Sequence, residues 1–263
     1  MTALAEMFLS AGSGQVVEAL ANVRMLARED KLASAMEEAY FALQSAPTYL
    51  PLHLEIGELL LREGRVGDAV VKFILIADLY TLRGEAAQAN QLLRRILQAA
   101  PMDMGIRIRL IDSLVAQGAV DEALQQSVEL AQIHYQLADL DKARLTYSNA
   151  LRLAQQSKTN RMWSVKILTQ VADIDMQRLD LRQAVRVYEQ IRTLEPDDPN
   201  LRAQLVDLYF RTGQDDQAYD ELELVIGLFE KSNKRQEAAD FLNRIIPDRA
   251  TGFSGQCLSG YWR

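Results

Sequence analysis

The chain has 263 residues, of which 49% are apolar and 25% charged, and its formal net charge is −7. This composition is typical of a folded chain rather than a disordered one, and the acidic balance disfavours non-specific nucleic-acid binding, which needs a surplus of Lys and Arg. No apolar run approaches the roughly 18 residues of a transmembrane helix, so we expect no membrane span.

Prolines and apolar periodicity divide the chain into helices. All six prolines lie between segments whose apolar residues recur at the spacing of an amphipathic helix. In chain order this predicts about thirteen helices, beginning near residues 2, 15, 31, 51, 66, 85, 103, 120, 140, 160, 181, 198 and 215, with a last one from about 235. No segment shows strand-like alternation, so we expect an all-α fold.

A short pattern recurs where these helices begin. A glycine precedes an alanine by five residues in five places: Gly14 and Ala19, Gly64 and Ala69, Gly84 and Ala89, Gly118 and Ala123, Gly213 and Ala218. The glycine can adopt the positive φ that ends one helix, and the alanine lets the next helix pack closely. Four further alanines hold the same place without the glycine: Ala35, Ala143, Ala184 and Ala238. Several neighbouring alanines, such as Ala35 and Ala69, are 34 residues apart.

The window from Val70 to Asp103 shows the repeat best, since it places in order Phe73, Ile76, Ala77, Tyr80, Gly84, Ala89, Leu93, Ile96 and Pro101. This pattern and its 34-residue period resemble the tetratricopeptide repeat, and further windows match at 16–49, 50–83, 104–137, 165–198 and 199–232. The resemblance implies a right-handed superhelical solenoid of antiparallel helix pairs, with a concave groove for a partner peptide or helix.

The alanine spacing alternates 34 with 20, so consecutive windows overlap. Helix 66–82 is then shared by two windows, and its apolar circumference predicts that it is covered on both sides. The longer spacing from Ala143 to Ala184 coincides with polar residues 155–161, which form either a hinge or a plain surface insertion. We therefore predict helical blocks at 1–155 and 156–247, and a disordered or non-native tail at 248–263, where the repeat pattern stops.

Candidates for a chemical site are few. Neither His53 nor His134 has a metal-ligand partner at helical spacing, and Cys257 has no base beside it. The acidic pairs at 197–198 and 215–216 precede helices, where capping is favoured over calcium binding. The arginines Arg178, Arg182 and Arg186 form either a solvated helix face or an anion site. We expect no enzyme activity, no cofactor and no metal.

By the same resemblance, the residue after the small position of the first helix in each pair faces the groove. These residues are Arg24, Glu58, Asp78, Asp112, Gln132, Asp173, Asp207 and Gly227, and five of these eight are acidic. They either solvate the helices or prefer a basic partner segment. With neighbouring apolar residues, the predicted groove set is Leu54, Glu58, Asp78, Ile108, Asp112, Asp173, Asp207 and Phe210.

Two functions remain open at this point. The chain is either a protein-interaction scaffold or adaptor acting alone, or a regulatory or sensor segment of a larger signalling or transcriptional regulator. A single cysteine allows no intrachain disulfide, and the N-terminus carries Glu6 without a basic leader, so we expect a cytoplasmic location. The oligomeric state is left open.

Overall fold

The computed structural model describes residues 2–157 and 161–231, together with Gln236, Asp240 and Phe241. Within these residues it contains twelve α-helices and no strand. The helices are α1 Thr2–Arg28, α2 Leu32–Ser45, α3 Leu50–Arg62, α4 Val66–Leu82, α5 Ala86–Ala99, α6 Met104–Ala116, α7 Val120–Gln136, α8 Leu140–Gln156, α9 Arg161–Gln177, α10 Leu181–Leu194, α11 Pro199–Arg211 and α12 Asp215–Lys231. The all-α prediction is confirmed. No helix in the described part of the chain is long and apolar enough to cross a bilayer.

The chain divides into two compact units, Met1–Ile133 and His134–Arg263. In the first unit, each helix from α1 to α5 packs against the helix that follows it, and α1 also contacts α3. In the second unit, each helix from α8 to α11 does the same. Because short turns join these neighbours, they run antiparallel, as the repeat pattern predicts. The predicted blocks 1–155 and 156–247 have a different boundary and stay a prediction.

Seven turns between helices share one hydrogen-bond pattern. In each, the N–H of a residue with positive φ donates a hydrogen bond to the carbonyl oxygen three residues earlier. The next N–H donates to the carbonyl oxygen five residues earlier, and the two bonds together form the Schellman motif. The four predicted turn glycines Gly64, Gly84, Gly118 and Gly213 have φ between 72° and 75°. At the three places where the glycine is replaced, Asp30, Ala138 and Leu179 take its role with φ between 58° and 61°.

The alanine five residues after each of these turns is a packing point. Its exposed fraction is 0% or 1% in all seven cases: Ala35, Ala69, Ala89, Ala123, Ala143, Ala184 and Ala218. A methyl group leaves room for the neighbouring helix to approach closely, so a larger side chain at these positions would separate the two helices.

One predicted helix boundary is wrong. Gly14 lies inside α1, which runs unbroken from Thr2 to Arg28, so the separate helices predicted near residues 2 and 15 are one helix. A single glycine flanked by helix-forming residues costs the helix only about 1 kcal/mol, which does not break it. Val16 and Leu20, which follow it, pack with Ala42 and Leu52 in a core shared by α1, α2 and α3.

The prediction for α4 is confirmed in one respect and wrong in another. The helix packs against both α3 and α5, and Phe73, one of its buried residues, lies over Gly57 of α3 so closely that a Cβ there would be 2.4 Å from the Phe73 ring. However, Val71, Leu75 and Leu79 are 60%, 59% and 42% exposed. Part of the apolar circumference of α4 therefore faces solvent.

Several predictions concern residues outside the described part of the chain. They are the tail 248–263 with Cys257, the position of Ala238, and most of the last helix predicted from about residue 235. Of the polar segment 155–161, residues 158–160 also lie outside it.

Candidate functional site

The predicted groove acids of the first unit differ in whether the chain already neutralises them. Glu58 on α3 accepts two hydrogen bonds from the Arg95 guanidinium on α5, at 3.0 and 2.6 Å. Asp78 on α4 forms an ion pair with Arg109 on α6. Asp112 on α6 is exposed and has no ion-pair or hydrogen-bond partner among the described residues. Of these three acids, Asp112 alone keeps its charge free for a partner.

The apolar members of the predicted set also differ in accessibility. In the first unit, Leu54 is partly buried and Ile108 is 46% exposed. In the second unit, Phe210 is only 7% exposed and packs edge-to-face on Tyr219, with the ring centroids 5.3 Å apart. Ile108 can therefore contact a partner, whereas Phe210 belongs mainly to the core.

The predicted groove acids of the second unit also differ in whether the chain pairs them. Asp207 on α11 lies 3.6 Å from Arg211 of its own helix, an exposed pair that contributes little. Asp173 on α9 has no partner among the described residues, although Asp175 two positions later is buried and bound by Arg144 at 2.6 and 3.1 Å. The two carboxylates thus share a helix but only one of them is satisfied.

Asp173 lies in a pocket of about 350 Å³. The end of α7 contributes Tyr135, α8 contributes Tyr147, and α9 contributes Gln170, Asp173 and Gln177 among others. Gln177 Nε2 donates a hydrogen bond to Tyr135 Oη at 2.5 Å, which holds one side of the pocket. Tyr147 is 1% exposed, and its hydroxyl donates to Gln170 Oε1 at 3.5 Å. The pocket therefore combines aromatic walls with a single unpaired carboxylate.

The electrostatics of this pocket follow from partial removal of water. Asp173 reaches the surface, yet the pocket wall withdraws enough water from its carboxylate to raise its pKa. Burial, aided by the negative charge of Asp173, raises the pKa of Tyr147 to about 12. Burial and the same charge also raise the pKa of Tyr188. At neutral pH the Tyr147 phenol stays protonated, and the carboxylate of Asp173 is the group of this pocket that can attract a cation.

A recurring polar contact escaped the sequence reasoning. Six residues after a proline, three side chains reach back to its carbonyl oxygen: His53 to Pro47 at 2.7 Å, Arg107 to Pro101 at 2.9 Å and Arg202 to Pro196 at 2.6 Å. Each arginine also pairs with the side chain 19 residues further on, Gln126 for Arg107 and Glu221 for Arg202. A proline followed six residues later by Arg or His was the signal that could have revealed it.

Other candidate chemistry is accounted for within the fold. No group of three or more His, Cys, Asp or Glu side chains suitable for a metal ion occurs among the residues described. Asp198 caps α11 by accepting from the N–H groups of Asn200 and Leu201, as its position before the helix predicts. Arg178 forms an ion pair with Asp141 at 2.5 Å, which favours a solvated helix face over an anion site.

The comparisons with known proteins agree with the helix pairs. A family model described as a tetratricopeptide repeat matches residues 176–227, from the end of α9 into α12. This segment contains the Leu179 and Gly213 turns and the buried Ala184 and Ala218. The resemblance to the tetratricopeptide-repeat family is thereby confirmed. No curated protein sequence matches the chain.

Among solved structures the chain is similar to three repeat proteins. MamA is 14% identical, with a TM-score of 0.37 over 64% of this chain and 96% of that one. A chain of the APC/C hetero-tetramer Cut9–Hcn1 is 15% identical, with a TM-score of 0.39 over 87% of this chain and 42% of that one. A tetratricopeptide repeat protein from Parabacteroides merdae is 17% identical, with a TM-score of 0.30 over 91% and 94%.

Proposed function

We propose that this chain is a non-catalytic protein-interaction scaffold or adaptor whose repeats bind a basic segment of a partner protein. The observation that carries the proposal is the Asp173 pocket, where an exposed carboxylate without a partner among the described residues lies beside Tyr135 and Tyr147. Repeat arrays of this kind offer extended surfaces to other proteins because each helix pair adds to a continuous face.

A Lys or Arg side chain fits this pocket for two physical reasons. Partial burial raises the pKa of Asp173, and a cation beside this carboxylate would offset the lost hydration. Tyr135, which is 39% exposed, can add a cation–π attraction of roughly 0.5–1 kcal/mol. Together these contacts select a basic side chain more than they raise overall affinity.

Asp112 supplies a separate contact in the first unit. Its carboxylate is exposed and unpaired within the described residues, and Ile108 one turn earlier on α6 is 46% exposed. A basic residue flanked by an apolar one matches this pair. Glu58 and Asp78 contribute less, because a partner would first have to displace Arg95 or Arg109.

A binding measurement on single-residue variants tests the proposal. A peptide-array screen of the purified chain should select Lys- or Arg-rich peptides, and fluorescence anisotropy then gives their Kd. Because one such carboxylate contributes at most about 1 kcal/mol, Asp173→Asn should weaken binding about fivefold. Adding salt should weaken it further, on the scale of a Debye length of about 8 Å. Asp220→Asn, an exposed acid on α12, is the matched control and should change nothing.

A combined variant tests the whole acidic set. Changing Glu58, Asp112, Asp173 and Asp207 together to their amides should abolish binding of the basic peptides, whereas each single change is mild. If the array selects acidic or purely apolar peptides, or if the combined variant binds the basic peptides unchanged, these carboxylates only solvate their helices and the proposal fails.

A further inference from the structure

A second unsatisfied surface lies in the first unit. Val71, Leu75 and Leu79 recur every four residues along α4, so they form one ridge, and all three are more than two-fifths exposed. Tyr40 of α2, which is 51% exposed, lines a shallow pocket of about 280 Å³ together with Val71 and Leu75. We call Tyr40, Val71, Leu75 and Leu79 the α4 face.

One charged side chain beside the α4 face has no partner among the described residues. Arg65 and Asp68 line the same pocket and pair with each other, since the Arg65 Nη2 atom lies 2.6 Å from Asp68 Oδ2, and Arg65 also lies 3.8 Å from Glu63. Lys72 also lines it, and this ammonium has no ion-pair or hydrogen-bond partner in the described part of the chain. Burial lowers the pKa of Lys72, which means that its charge is incompletely solvated.

In two other repeats, the residue equivalent to Lys72 is hydrogen-bonded to an arginine of the same chain. Gln126 and Glu221 lie 19 residues after Arg107 and Arg202, and each accepts a hydrogen bond from its arginine. The corresponding residue 19 positions after His53 is Lys72, a donor where the other two are acceptors. The arginine contact of those repeats therefore cannot form here, and the described residues supply no acceptor for Lys72.

We propose that the α4 face binds an acidic amphipathic helix of a partner protein, whose apolar side chains pack on Val71, Leu75 and Leu79 while a carboxylate pairs with Lys72. The ridge of side chains four residues apart is the surface that packs into the groove of another helix. The lone positive charge selects a partner carboxylate. This proposal is independent of the Asp173 pocket, which calls for the opposite charge.

Labelled model peptides test this surface in the full chain. The probe is a fluorescein-labelled helical peptide of about 18 residues, with Leu on one face and Glu and Ala elsewhere, compared with a counterpart in which every Glu is Lys. The acidic peptide should bind and the basic one should not compete with it. Lys72→Gln should raise the Kd about fivefold, and Leu75→Ser about tenfold or more.

Matched controls separate binding from folding and from other occupants. Leu145→Ser removes a leucine of similar exposure on α8, 62%, and Lys31→Gln removes a lysine paired with Glu29, so neither should change the Kd. Circular dichroism melts should show that every variant stays folded, because Leu75, Leu145 and Lys31 are exposed and loss of the partly buried Lys72 charge does not destabilise the fold. No binding of the acidic peptide at about 1 mM overturns the proposal. Equal binding by Lys72→Gln and Leu75→Ser, or a dimer in sedimentation that Leu75→Ser dissociates, overturns it as well.

Discussion

Helices α4 and α7 hold the same place in the repeat but present different surfaces. Both have 17 residues, and each carries a fully buried alanine, Ala69 and Ala123, five residues after a turn glycine. On α7, Gln126 and Glu129 both accept from Arg107, which is only 6% exposed. On α4, the residues 54 positions earlier are Lys72 and exposed Leu75.

This difference separates what the repeat needs from what it leaves free. The turn and the buried alanine are kept in both helices because close helix packing depends on them. The residues on the outer side of the helix are not constrained in this way. On α7 these residues bond to Arg107, whereas on α4 they are Lys72 and Leu75, which form no such bond. The unsatisfied surface of α4 is therefore a candidate for function rather than a requirement of folding.

The largest expected effect concerns the residue four positions after the buried alanine. This residue is Phe73 in α4 and Ser127 in α7, and both are buried. Phe73→Ala should lower the free energy of unfolding by about 3–5 kcal/mol, because it empties the space over Gly57. Ser127→Ala should change it by less than about 0.5 kcal/mol, since the described bond of the Ser127 hydroxyl is to the Ala123 carbonyl of its own helix. Urea titration of both variants measures the contrast, and equal losses would contradict it.

The next effect concerns the polar contact that α7 has and α4 lacks. Arg107→Ala should cost about 2–3 kcal/mol, because it removes the donor that the Pro101 carbonyl, Gln126 and Glu129 share. His53→Ala, at the corresponding position before α4, should cost no more than about 1 kcal/mol, because its described contact is a single bond to Pro47. Chemical denaturation measures the loss of stability in both variants. A larger loss for His53→Ala than for Arg107→Ala would contradict this expectation.

A smaller effect concerns the turns that end the two helices. Gly84 follows α4 with φ of 75°, and Ala138 follows α7 with φ of 59°. Gly84→Ala should cost about 1 kcal/mol from backbone strain alone, because a Cβ there would meet no other atom within 4 Å. Ala138→Gly should raise stability by about 0.5 kcal/mol, as relief of strain exceeds the added entropy of the unfolded glycine. If both substitutions change the free energy of unfolding in the same direction, the positive φ is not the cause of these changes.

The smallest effect concerns the unpaired charge on α4. Burial lowers the pKa of Lys72, so between that value and the usual lysine pKa of about 10.4 the unfolded chain binds more protons than the folded one. The free energy of unfolding therefore rises with pH through that window, and at neutral pH the charged lysine costs stability. Lys72→Met should raise the urea midpoint slightly at pH 7 and less at about pH 10. Lys31→Met is the control, and a lowered midpoint for Lys72→Met would show that the ammonium is satisfied.

The sequence was sufficient for those parts of the fold that depend on local geometry. Positive φ after a helix and a small residue five positions later are requirements of the backbone, so Gly64 with Ala69 and Gly118 with Ala123 were found from spacing alone. Gly14 precedes Ala19 by five residues but does not end a helix, because a glycine also fits inside a helix. The segment around it contains no proline and keeps its helical periodicity, so nothing marks a break there.

The candidate site was less predictable because it depends on contacts between distant residues. Glu58, Asp112 and Asp173 look alike in sequence, but whether each carboxylate is neutralised depends on an arginine 30 or more positions away, such as Arg95 for Glu58. No local pattern reveals that pairing. For the same reason, the sequence did not show that Asp173 lies among tyrosines or that Lys72 lacks an acceptor.

The central claim is that the chain recognises proteins where its repeats leave a charge unpaired, and that two such places select opposite partners. The most direct measurement is one peptide array probed in parallel with the wild-type chain, Asp173→Asn and Lys72→Gln. We expect Asp173→Asn to lose only basic peptides and Lys72→Gln to lose only acidic amphipathic ones. If both variants lose the same peptides, or neither loses any that the wild type binds, unpaired charge does not determine recognition and the account is wrong.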